Sequence, residues 1–121
     1  MTTMAWDAHT LTLDPAPLDP RNILAGNPAV SWKTLWRSPD GLSERGIWQI
    51  TPGTVSDVEV DEMFVVLTGK ATVTVEGGPT LVLAPGSVGM LTAGDRTVWQ
   101  VTETLRKAYQ LSRPDVPSRG E

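Results

Sequence analysis

The 121-residue chain contains no cysteine, which excludes disulfides, thiolate nucleophiles and cysteine-ligated metals together. Its one histidine, His9, stands in the opening segment, so no histidine pair is available for an imidazole-rich metal centre. Basic residues are few: 10 Lys+Arg against 14 Asp+Glu give a formal charge of −4. With no basic cluster anywhere, a nucleic-acid partner is not expected. No apolar run approaches the ~20 residues of a membrane helix, so no membrane partner is expected either. The start, MTTMAWDAHT, has neither the positive n-region nor the apolar h-region of a secretory signal, and the expected location is the cytoplasm.

What is present is compatible with one domain and a sizeable core, since 40% of the residues are hydrophobic. The aromatic content is lopsided, with five tryptophans against one phenylalanine and one tyrosine. Trp6, Trp32, Trp36, Trp48 and Trp99 each carry an N–H that needs a partner when buried, so they suit core or pocket-wall positions.

Residues 1–22 hold Pro15, Pro17 and Pro20, a density that forbids a regular helix and suits an extended N-terminal arm lying on the domain or on a partner subunit. SWKTLWRS (31–38) reads as a strand with Trp32, Thr34 and Trp36 in one phase, or as a single helical turn. From Gly46 onward, short β-rich runs alternate with Pro52-Gly53, Gly69, Gly77-Gly78, Pro85-Gly86 and Gly94-Asp95. Strands at such steady spacing, with no amphipathic helix longer than two turns, predict an all-β sandwich or barrel. The expected organisation is an arm over residues 1–22, one domain over 23–112 and a frayed tail over 113–121.

The stretch DEMFVVLTG (61–69) anchors the functional reading. If residues 54–68 form one strand, Val58, Val60, Glu62, Phe64 and Val66 share a face, because side chains two apart do. Asp57, Glu59 and Asp61 then form a solvated edge, and Glu62 is the one acid on the apolar side. A bulge would instead turn Glu62 to water. An inward carboxylate requires a cation or several donors, since burying it unpaired costs several kcal/mol. The strand core from Met63 to Leu67 is apolar on both faces, so its outer face needs a cover, supplied by the arm or by a second subunit in a homodimer.

Several of these residues resemble the cupin superfamily, RmlC-like double-stranded β-helix barrels of jelly-roll type. The first cupin motif ends in a glutamate, six residues and a glycine, as Glu62 and Gly69 do here; Gly86 and Gly94 sit in register with the second. The usual histidine positions fall on Ser56 and Val58, or Val55 and Asp57, and on Thr97, so only the glutamate of the four usual metal ligands is kept. A narrower resemblance is to the branch that contains (S)-ureidoglycine aminohydrolase and the ethanolamine-utilisation cupin. It rests on ILAGNP (23–28), GIW (46–48), TPG (51–53) and above all WQVTETLRKAY (99–109). The resemblance implies a small cupin barrel. The residues imply no cofactor and no metal held tightly, since threonine and hydrocarbon replace imidazole.

With Thr97 at the inward histidine position, alternation turns Trp99 and Val101 inward too, while Lys107, Tyr109 and Leu111 share a phase and Trp48 goes with Ile50. The candidate ligand-binding set is therefore Glu62, Trp48, Trp99, Lys107, Tyr109 and Thr97, with the Lys107 ammonium in reach of Glu62. The alternative is a buried ion pair tying two strands together among tryptophans that fill the barrel. Glu103 and Arg106 are expected to pair at an edge. Nothing matches a nucleophile elbow or a phosphate-binding glycine loop, so no catalytic residue is assigned. The leading reading is a metal-free, homodimeric cupin binding a small polar metabolite. The alternatives are an enzyme of nitrogen metabolism and a structural cupin with a filled barrel.

Overall fold

The computed structural model describes residues 3–114. Nine strands form: β1 Asp14–Ala16, β2 Ile23–Gly26, β3 Val30–Arg37, β4 Ser43–Ile50, β5 Gly53–Val58, β6 Asp61–Val75, β7 Thr80–Leu83, β8 Val88–Leu91 and β9 Arg96–Ser112. A single 3₁₀ turn, Pro20–Asn22, is capped by the Asp19 carboxylate. All pairings are antiparallel. Residues 31–37, for which strand and helical turn were both open, lie in β3, with a register shift between Thr34 and Trp36 that breaks the single phase.

The architecture follows from the two long strands. The first part of β9 (97–101) lies between β5 and the second half of β6, which also carries β7. The second part of β9 (105–112) lies between β4 and the first half of β6, which also carries β8. Thus β6 and β9 each cross from one sheet to the other, and the sheet curls into the expected jelly-roll barrel. The crossing is where their mutual register shifts, between Val66 and Ala71. Side chains alternate inward along both strands, so Phe64, Val66, Ala71, Val73, Trp99, Val101 and Leu105 meet Ile50, Leu83 and Leu91 in one core. Ile50, Leu105, Val66 and Val73 are the largest side chains to be wholly buried.

Residues 54–68 are not one strand. The backbone N–H of Glu59 donates to Asp95 O at 2.9 Å, and Gly94 N–H donates back to Glu59 O at 2.9 Å, so the β8–β9 turn grips the chain and interrupts pairing at Glu59-Val60. That break shifts the phase by one residue. Val58, expected inside, is 57% exposed, and Glu59, expected on a wet edge, is 7% exposed. Glu62, beyond the break, still turns inward.

Before β2, the chain contributes β1, paired with β3, and a crossing over β4 and β9. There the Arg106 guanidinium donates to Ala8 O (3.0 Å) and Leu11 O (3.1 Å), with its Nε on Gln49 Oε1 (3.0 Å). Arg106 is therefore not Glu103's partner; Lys70 is, at 3.8 Å. Of the expected tail, Arg113 is held against Leu42 O (2.7 Å), and residues 115–121 lie outside the described part. Met63 remains 54% exposed, so the described part of the arm does not cover that end of β6.

Candidate functional site

The register of β9 against its neighbours assembles the site. Lys107 stands opposite Trp48 on β4 and Val66 on β6, and its long side chain runs along the barrel interior toward Glu62. Its ammonium lies 2.6 Å from Glu62 Oε2, with the two side chains only 6% and 8% exposed. The same Nζ sits 4.6 Å from the ring centres of Trp48 and Phe64 and 4.9 Å from that of Trp99. The rings brace one another, Trp48 against Trp99 at 5.8 Å and Phe64 against Trp99 at 6.0 Å, both tilted. Three π faces and one carboxylate thus surround a single ammonium, each contributing to a cation held out of water. The pair meets off the hydrogen-bonding directions, so Glu62 Oε2 has an ion-pair partner but no aligned donor.

Above this pair opens a cavity of about 340 Å³, lined by Trp32, Trp48, Trp99, Lys107, Tyr109 and a ring of acids. Four of the six residues singled out from the sequence share one cluster: Glu62, Lys107, Trp48 and Trp99. Tyr109 and Thr97 are buried nearby but bond other partners. Thr97 Oγ1 donates to Glu59 Oε2 at 2.6 Å, and Trp99 Nε1 donates to the same oxygen at 3.1 Å. Tyr109 OH donates to Glu44 Oε2 at 2.6 Å.

Glu44 and Glu59 are the site acids that the sequence did not single out. Glu44, 6% exposed, also receives Arg113 Nη1 (3.1 Å), Arg37 Nη2 (3.3 Å) and Thr34 Oγ1 (3.4 Å). Burial alone would raise the Glu44 carboxyl, but the bonds from Tyr109 and Arg113 and the arginine charge outweigh it and hold it below the usual range. Burial, then the Glu44 bond and charge, push the Tyr109 phenol well above its ordinary value, so it stays a donor.

Asp57 stands on the exposed rim. Burial against the cavity wall, then the charges of Glu59 and Glu62, push its pKa up to about 6, opposed by the Val58 N–H and by Lys107. A carboxyl that holds its proton more tightly folded than unfolded lends stability at low pH and loses it as pH rises from the model-peptide value of 3.8 to about 6. Asp57→Asn is therefore expected to melt above wild type at pH 7.5, with the difference vanishing near pH 4. Thermal melts across that range check it, and a gap that widens toward low pH would contradict the assignment.

The residues present do not fit a transition-metal centre. Among the described residues no three His, Cys, Asp or Glu side chains converge, and the one kept cupin ligand, Glu62, already faces an ammonium.

Two sheets exchanging strands around a core, with polar groups gathered at one mouth, define a cupin-type barrel. The chain belongs to the EutQ-like cupin domain family, which matches residues 37–109. Solved structures of similar fold include a protein of unknown function from Pseudomonas syringae pv. tomato, at TM-score 0.77 and 22% identity, covering 86% of this chain and 46% of that one. Others are a putative ethanolamine utilization protein Q from Salmonella typhimurium, at TM-score 0.60 and 23% identity with 69% of each chain covered, and the EutQ protein of Clostridium difficile, at 0.62 and 16%, covering 83% and 82%. This chain spans less than half the length of the Pseudomonas protein. At such identities the likeness establishes the fold. No curated protein matches the chain in sequence. No helix among the described residues is long and apolar enough to cross a membrane.

Proposed function

We propose that this domain is a cytoplasmic, homodimeric cupin that binds a small polar metabolite in the barrel mouth without a metal. The observation that carries the reading is the cavity of about 340 Å³ closed below by a buried Glu62–Lys107 pair, one oxygen of which lacks an aligned donor. Pockets for small molecules combine mostly apolar walls with a few placed polar groups, and this mouth has that composition. The barrel interior behind the pair is filled by Phe64, Trp99 and the aliphatic core, which confines a ligand to the mouth.

What supports the homodimer is the outer face of β6 and β8, where Met63 pairs with Met90 and Val65 with Val88, leaving Met90 75% and Val88 61% exposed.

Native mass spectrometry of protein taken directly from cells tests both parts. The expected spectrum is a dimer carrying one small-molecule adduct per protomer, with the adduct lost in Glu62→Gln at unchanged circular dichroism. Protein that carries no adduct from any growth condition, or an adduct indifferent to Glu62→Gln, would overturn the ligand site.

A further inference from the structure

The charge of the occupant is set by what lines the mouth. Two acids, Glu59 and Glu62, line its inner part and a third, Asp57, its rim, against one ammonium, Lys107. That ammonium is committed to Glu62 and to three ring faces. The rim cations Arg37 and Arg113 are committed elsewhere, since both contact Glu44 Oε1, at 3.3 and 3.1 Å. Glu59 is buried and, among the described residues, forms no ion pair: its two donors, the Thr97 hydroxyl and the Trp99 indole, are neutral and meet the same oxygen. Its second oxygen is left for the cavity. Dipoles alone offset only part of a buried carboxylate's charge. Two residues earlier, Asp57 adds a second carboxyl that no side chain bonds. Burial first, and then the charge of Glu59, push the Asp57 carboxyl up, as two acids facing one mouth do.

Resting on the reading of the mouth as a ligand site, we propose that its occupant is a small primary amine, bound as the ammonium ion between Glu59 and Asp57. Trp32 and Trp48, opposite one another on β3 and β4, supply flat walls whose π faces also favour a cation. A carboxylate ligand would meet acids on the cavity side of Glu59 and Asp57, and a neutral one would leave their charge uncompensated. Glu62 and Lys107 form the neutral floor beneath the amine, and the three N–H groups of the ligand have Glu59 Oε1 and the Asp57 carboxyl as acceptors.

The test uses three probes of one length that differ in charge: n-propylamine, propionamide and propionate, titrated at pH 7.5 into adduct-free protein by calorimetry and tryptophan fluorescence. n-Propylamine is expected to bind at least about tenfold more tightly than propionamide, with propionate not binding. Glu59→Gln, which can keep both accepted bonds, is expected to weaken n-propylamine about tenfold or more. Asp57→Asn, on the rim where folding is not at risk, is expected to weaken it about threefold or more. Propionate or propionamide binding as tightly as the amine overturns the charge assignment. Binding by none of the three overturns it as well, and the adduct measurement on cell-derived protein then decides separately whether the mouth is a ligand site at all.

Discussion

Lys107→Met is expected to destabilise the domain by about 3–5 kcal/mol, because it leaves Glu62 charged, buried and unpaired in a ring of aromatic side chains. For a domain of this size that is a fall in Tm of roughly 12 °C or more. The opposite truncation is not equivalent. In Glu62→Gln the ammonium keeps three ring faces, at 4.6, 4.6 and 4.9 Å, and an amide oxygen replaces the carboxylate at the same position. That variant is expected to lose about 1–2 kcal/mol. Replacing both partners removes the uncompensated charge entirely, so Glu62→Met combined with Lys107→Met is expected to recover to within about 2 kcal/mol of wild type. Urea unfolding of the three variants checks the order. If Lys107→Met cost no more than Glu62→Gln, the pair would be wet in solution and the cage would contribute nothing.

How far this arrangement could be read in advance depends on what each residue is held by. The inward phase of Thr97, Trp99 and Val101 and the common phase of Lys107 and Tyr109 were legible because β9 runs unbroken from Arg96 to Ser112, and period-two alternation survives along it. The meeting of Glu62 with Lys107 followed from that phase and from the length of a lysine. Glu59 was misread for the converse reason. Its orientation is decided by a turn that contains Gly94 and Asp95, far along the chain, which grips both the N–H and the carbonyl of this one residue and resets the alternation. No local pattern contains that contact. Glu44 lay in an ordinary strand sequence, SERGIWQI, and its burial is explained only once Tyr109 and Arg113 arrive from the last strand. The outline of the barrel is thus a property of spacing, whereas the acids that give the mouth its charge depend on contacts between distant segments.

Gly69→Ala is expected to be the most damaging single-methyl addition, and Gly77→Ala is its control. Both glycines have positive φ, +92° and +71°, where an L side chain is strained by about 1–2 kcal/mol. At Gly77, in the β6–β7 hairpin, a Cβ meets nothing within 4 Å, so that strain is the whole cost. At Gly69 the Cβ would overlap the carbonyl oxygen of Thr104 and lie 2.5 Å from Leu105 Cα, backbone atoms that cannot rotate away. Overpacking of this kind adds about 1–3 kcal/mol, so Gly69→Ala is expected to lose about 3–5 kcal/mol against about 1–2 for Gly77→Ala. The site is affected with the fold. Gly69 lies where β6 and β9 cross between sheets, three residues beyond Val66, whose pairing with Lys107 is the last before the register shifts. Pushing β9 away there moves Lys107 relative to Glu62, whose separation is 2.6 Å. Because the indole rings of Trp48 and Trp99 pack around that ammonium, the displacement is readable in tryptophan emission of the still-folded protein. Gly69→Ala is expected to red-shift the emission at temperatures below its own melt, and Gly77→Ala to leave it unchanged. Equal spectra for both variants would mean that the crossing does not set the geometry of the caged pair.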